Sequence, residues 1–251
     1  MSKSKDAIAT VQAKSDLPTY LLEEIETTTV TGFENVEQQD TALSILRILQ
    51  SNSPVLQDDE SLRAGMIYDS ATGQGAKEIL VTPVGFVGCW MEYVPRDQGG
   101  GFAGRHARHS GIELTATVDG YKKFLPNGNE LVETAEHAVI VWADTPDLAL
   151  FPLSSTQLKP SKEWNTDIGR RAKAMYVTKY KLSTTGQKNK KGSWYGLTFA
   201  FDSYVSEQEL ELTRHAAKDY ESSLAKATAA YAAAPQTAVV ESTVDVSASM
   251  A

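Results

Sequence analysis

The sequence predicts an α+β fold, rich in β-structure: a small barrel or sandwich followed by one long C-terminal helix. Three observations predict it. Between Gly65 and Phe201 about seven or eight short β runs alternate with Gly-, Pro- and Asn-bearing turns. Over Glu207–Ala234, Leu210, Ala217, Tyr220, Leu224, Ala227 and Tyr231 fall at spacings of seven, three, four, three and four, a helical seam that Pro235 ends. The chain has 251 residues, 41% hydrophobic and 22% charged, which suits one globular domain with appendages.

The elements follow in order. Residues 1–30 are polar, with a weak apolar patch at Leu17–Ile25, and read as a short helix or a mobile arm; Thr27–Thr31 is β-branched and extended. Asp40 offers an N-cap to residues 41–50, TALSILRILQ, too densely apolar to separate a short buried helix from a strand. Ser51–Glu60 reads as a loop, Gly65–Ser70 as a strand and Ala71–Gly75 as a turn. Glu78–Val87 is a strand interrupted by Pro83 and Gly85, the mark of an edge or a bulge. Cys89–Val94 reads as a separate strand, then Pro95–Gly104 as a Gly-rich loop. Residues 112–118, Leu131–Trp142 and Leu148–Leu153 read as strands, with a turn at Pro126–Asn129. Ser155 or Ser161 can cap a helix within Ser154–Ala174 that carries Lys162, Trp164, Ile168 and Arg171. Met175–Ser183 and Ser193–Phe201 form a hairpin across a basic loop, Thr184–Gly192. Alternation puts Tyr176, Thr178 and Tyr180 on one face and Val177, Lys179 and Lys181 on the other. The last 16 residues are small, polar and mildly acidic, and read as disordered.

Composition excludes several classes. The single cysteine, Cys89, rules out an intrachain disulfide, and it reads as a buried small hydrophobe between Gly88 and Trp90. Met1–Lys14 lacks the apolar core of a secretory signal, and no apolar run reaches the roughly 20 residues of a membrane span. The expectation is a cytosolic protein.

Charge is distributed unevenly. Net charge is −8, yet residues 151–200 hold ten Lys and Arg against Glu163 and Asp167. That block is +8, and the other 201 residues sum to −16. A charge run is ordinarily a solvated face. This one is interleaved with Trp164, Tyr176, Tyr180, Trp194 and Tyr195. Cations for phosphates and flat rings for bases are what a single strand of nucleic acid needs. Lys159, Lys162, Arg170, Arg171, Lys173, Lys179, Lys181, Lys188, Lys190 and Lys191 are the candidate backbone contacts, extended by Arg96, Arg105 and Arg108. Trp164, Tyr176, Trp194 and Tyr195 are the candidate stacking residues, while Trp90 and Trp142 lie in apolar runs and read as core.

Gly99-Gly100-Gly101 allows backbone N–H groups to approach an anion, and is expected to form the second wall of the groove. It is not a phosphate-binding loop of the Walker type, because no Gly-Lys-Ser/Thr closes it. His106 and His109 have a spacing that permits metal binding but no third ligand, so no metal or cofactor is expected. Asp97, Glu113 and Glu136 are the only candidates for a nuclease-like acid cluster, and nothing in their spacing demands one. No enzymatic activity is expected.

The order of motifs is specific. Gly-Phe-Glu-Asn-Val (32–36) precedes ILRILQSNSP (45–54), AGMIYDSATG (64–73), Trp90-Met91-Glu92-Tyr93 and PRDQGGGF (95–102); LPNGNELVET (125–134), SSTQLKPSKEWN (154–165) and NKKGSWYG (189–196) follow. Over about residues 30–205 the chain resembles a widespread family of tailed-bacteriophage proteins, some described as single-stranded-DNA-binding. The design is similar to that of phage replicative single-stranded-DNA-binding proteins, which combine an OB-type barrel, basic and aromatic strand faces and an acidic tail that binds replication proteins. The resemblance implies an OB-like barrel over 31–205, a helix over 206–235, a tail over 236–251, and work in DNA replication or recombination in the cytoplasm of the infected host. Here the tail holds only Glu241 and Asp245 and ends without an aromatic residue, a departure that weakens tail-mediated recruitment. The seam through Leu210, Ala217, Tyr220, Leu224 and Tyr231 offers a homo-oligomer contact. The alternative role is a virion or assembly protein touching packaged genome or neighbouring subunits.

Overall fold

The computed structural model describes residues 44–190 and 192–233, with side chains to residue 225. The predicted arm, the Asp40 cap, the tail, Lys191 and the ring of Tyr231 lie outside the described residues.

In chain order the elements are β1 (Ser44–Ile48), a single helical turn α1 (Val55–Asp58), β2 (Ile67–Asp69), β3 (Gly75–Ala76), β4 (Glu78–Tyr93) and β5 (Phe102–Ala107). Then come β6 (Thr117–Asp119), β7 (Lys122–Phe124), β8 (Glu130–Trp142), β9 (Asp147–Ser154), α2 (Leu158–Arg171), β10 (Thr178–Asn189), β11 (Gly192–Tyr204) and α3 (Glu207–Ala233). The fold is β-rich α+β with a long C-terminal helix, as the sequence predicts. The eleven strands join one sheet in the order β11-β10-β4-β8-β9-β1-β2-β3, with β5 on β4 and the β6–β7 pair on β8. The sheet curls into a half-barrel. Only β1 with β9 is a parallel pair among the registers described.

Burial on both faces explains the continuous apolar runs of β8. Successive side chains of a strand point to opposite sides. Ala135 and Val139 join the core that holds Trp164 and Ile168 of α2. Ala138 and Ile140 join a second cluster with Ala216, Ala217 and Tyr220 of α3. One face therefore carries α2 and the other α3.

Several expectations need correction. Of the two alternatives open for residues 41–50, residues 44–48 take the strand, because β1 finds partners on both sides, β2 and β9. Glu78–Val87 and Cys89–Val94 are one strand of 16 residues at the centre of the sheet, with a register shift between Pro83 and Gly85. The bulge expectation holds and the edge expectation fails, for a local reason. On its far side β4 pairs with β10 through Glu78–Val81 and with β5 from Cys89 onward. No described strand pairs with residues 82–88 there, so the N–H that Pro83 lacks is not missed. α3 packs against β4, and a Cβ at Gly85 would overlap the Tyr220 ring. Residues 112–118 open as a 3-10 turn, Ile112–Leu114, and only Thr117 and Val118 are strand, the start of the short β6. Neither Ser155 nor Ser161 caps α2: Gln157 holds that position with no side-chain bond. Ser161 is buried against His137, 2.8 Å away.

Candidate nucleic-acid interface

The β10–β11 hairpin is longer and tighter than its sequence suggests. The ladder runs to Asn189↔Gly192, so Thr184–Asn189 is strand and Lys190 begins the turn. Lys188 and Lys190 stand exposed at the tip. The predicted alternation holds for Thr178 and Tyr180, both fully buried, against Lys179 and Lys181. Tyr176 and Val177 sit in the preceding 3-10 turn, and Tyr176 packs against the cluster beneath α3, away from any stacking position.

The cations divide into those already paired and those left to solvent. Lys179 bonds Glu209 of α3 and lies 4.4 Å from the Trp142 ring, so it anchors the helix. Lys181 meets Asp202 at 3.1 Å. Arg171 meets Asp167 at 2.7 Å and lies 4.1 Å from the Phe201 ring. The Arg171 bond holds the Asp167 carboxyl below the usual range, and Tyr180 donates a second bond to it. Lys159 is 3.9 Å from Glu163, both well exposed, a pairing worth little. Arg105 pairs with the buried Glu136 at 2.8 Å and Arg108 with Glu133 at 2.6 Å. Among the described residues Lys162, Arg170, Lys173, Lys188, Lys190 and Arg96 are exposed and have no ion pair described. Lys162 and Arg170 lie on the side of α2 away from its buried Ser161, Trp164 and Ile168.

Trp164 corrects a second expectation. It is 0% exposed, stacked 4.6 Å from His137 and edge-on to Tyr180 at 5.8 Å. No face of its indole is open to a base. Burial pushes the neighbouring His137 down to about 3, so the ring is neutral at ordinary pH.

Trp194 and Tyr195 open β11 and are held from outside the hairpin. Gln50 donates to the Tyr195 carbonyl at 3.1 Å and accepts from its N–H at 2.8 Å. Gln157 donates to the same carbonyl at 2.8 Å and accepts from the Leu197 N–H at 2.8 Å. Two side-chain amides thus do along β11 what a neighbouring strand would do, bridging the seam towards β1. The Tyr195 ring lies against Gly65, where a Cβ would come within 2.6 Å of it, so Tyr195 is part of the seam. Trp194 remains half-buried at the wall of a cleft of about 570 Å³.

That cleft has three walls. The exit of β1 gives Arg47, Gln50, Ser51 and Asn52; the end of β9 and the turn after it give Pro152, Ser154, Thr156 and Gln157; β11 gives Ser193 and Trp194. Ser155 in that turn has φ 53°, a left-handed conformation that a residue with a Cβ rarely adopts. Among the described residues no Asp or Glu lines the cleft. The Gly99–Gly101 turn is not one of its walls. It lies at the β4–β5 connection with φ of 105°, 66° and 115°, and Gly101 lines a separate groove of about 850 Å³ with Arg96, Asp97, Lys122 and Glu130. Arg47, Gln50, Asn52 and Gln157 escaped the sequence reading, although they lie inside two of the segments that carry the family resemblance. Asp97, Glu113 and Glu136 do not gather: among the described residues no group of three or more His, Cys, Asp or Glu is placed to hold a metal ion.

A family model described as Pam3 phage gp34-like protein matches residues 11–230. The chain belongs to the Pam3 phage gp34-like family. No curated protein matches it, and no solved structure matches it. In this gp34-like chain three quoted segments, 45–54, 154–165 and 189–196, meet at the Trp194 cleft. No described helix is long and apolar enough to cross a membrane.

Proposed function

We propose that this phage protein binds single-stranded DNA and acts in DNA replication or recombination. The observation that carries the reading is the Trp194 cleft: a half-buried indole whose described lining holds no carboxylate, within a chain of net charge −8. Trp194 takes a base by stacking. Lys188 and Lys190 at the tip, with Lys162, Arg170 and Lys173 near α2, follow the phosphates. The curled sheet and its side-chain closure support an OB-type barrel as the scaffold.

Titrating intrinsic fluorescence with a single-stranded oligonucleotide across salt tests it. Trp194 is the indole in the cleft lining, so quenching by a stacked base should vanish in Trp194→Phe. Each neutralised phosphate contributes about −0.7 to the slope of log K against log salt, so a strand that reaches all five of these cations gives a slope of roughly −3.5. An absence of binding at low salt removes the proposal.

One observation favours the second reading, a virion or assembly role. Phe102, Leu114, Val118 and Tyr121 are 62%, 84%, 68% and 88% exposed within one stretch, and exposed apolar groups mark protein contacts. The helical seam is less available for that purpose, because Ala217 and Tyr220 pack on the chain's own sheet. Presence at high copy in purified particles would support this reading.

A further inference from the structure

We infer that Arg47 and Trp194 form the seat for one nucleotide of the bound strand, the guanidinium taking its phosphate and the indole its base. The inference rests on the single-stranded-DNA reading and adds a contact on β1, outside the basic block. Arg47 is the only charged residue of the cleft lining among the described residues. Its neighbour Leu46 is buried in the core while Arg47 itself is exposed, so the strand's alternation turns the guanidinium outward. No ion pair is described for it. An arginine without a carboxylate partner presents a planar fork of donors that matches two phosphate oxygens.

The wall opposite is fixed. The N–H of the Trp194–Tyr195 peptide is held by Gln50, and the Tyr195 carbonyl that follows by Gln50 and Gln157, so the indole meets the ligand from a set position. Gln50 follows Arg47 on the same strand exit, which couples the two halves of the seat through one short segment. Asn52, Ser154 and Ser193 supply uncharged donors and acceptors around the space between. The volume of about 570 Å³ lies within the range of small-ligand clefts. A chain this acidic that keeps a cleft clear of carboxylates around one arginine favours an anion with a flat, stackable group.

The test uses the full chain and a ten-residue oligothymidylate. Arg47→Gln should weaken binding about tenfold, as loss of a charge-assisted contact does. It should also make the salt slope shallower by about 0.7, the share of one phosphate, and leave the quench at saturation unchanged. Arg47→Lys should restore the slope and only part of the affinity, because a point charge cannot bond two oxygens. Denaturation midpoints equal to the unsubstituted protein's check that the variants fold. Binding by the unsubstituted chain with an unaltered slope in Arg47→Gln overturns the seat and leaves the DNA reading standing. No binding by the unsubstituted chain overturns both. Equal loss against an oligoglutamate of matching charge overturns it too, since the cleft would then be an acidic-peptide site.

Discussion

Replacing Gln157 with leucine should loosen the molecule where the sheet closes. Gln157 makes two bonds to β11, both 2.8 Å: it donates to the Tyr195 carbonyl and accepts from the Leu197 N–H. Leucine keeps much of the volume and removes both. The Tyr195 carbonyl keeps Gln50. The Leu197 N–H keeps nothing described, and Leu197 is only 5% exposed, so water replaces the bond poorly. An orphaned buried donor costs about 1–3 kcal/mol, which puts Gln157→Leu near ~2 kcal/mol. Gln50→Leu orphans the Tyr195 N–H at a half-buried position and should cost ~1 kcal/mol. The double variant leaves the shared carbonyl without either amide, so its loss should exceed the sum of the singles by about 0.5–1 kcal/mol. Urea titrations of the four proteins measure this, provided the slope against denaturant stays constant. A Gln157→Leu loss below about 0.5 kcal/mol, or strict additivity in the double variant, refutes the claim that the two glutamines jointly hold β11.

Two further outcomes follow from the core. Trp164→Ala should destabilise by about 3–5 kcal/mol, the range for a buried aromatic, because the indole is wholly enclosed; thermal unfolding reads this, and a near-neutral change would return Trp164 to the list of surface rings. His137 should make stability fall on acidification. The unfolded histidine binds a proton below about pH 6.5, while the folded one resists until about 3. Stability is therefore full above pH 6.5 and declines between 6.5 and 3, by up to a few kcal/mol. Denaturation midpoints across that window, compared with His137→Gln, should show the slope reduced in the variant; an unchanged slope assigns the acid lability to other groups.

What the sequence discloses depends on whether a residue's partners are local. β8 is legible because both its faces are buried, so its apolar run needs no outside knowledge. Trp164 was misread from its neighbours Lys162 and Glu163, although Ser161, Trp164 and Ile168 at helical spacing already marked one buried face. β4 looked broken because Gly85 makes room for a ring 135 positions later, Tyr220, and no local rule foresees that. The pairing inside the basic block is hidden from the sequence for the same reason. Charge counting sees Lys179 and Lys181 but not Glu209 and Asp202, which fold back upon them. Of the nine block cations among the described residues, four have ion pairs, leaving Lys162, Arg170, Lys173, Lys188 and Lys190. Five exposed lysines and arginines alone would not distinguish a nucleic-acid surface from an ordinary solvated one. The proposed distinction rests on a place that no charge count reaches: the cleft at the closure of the sheet, whose described lining holds both Arg47 and Trp194 and no carboxylate.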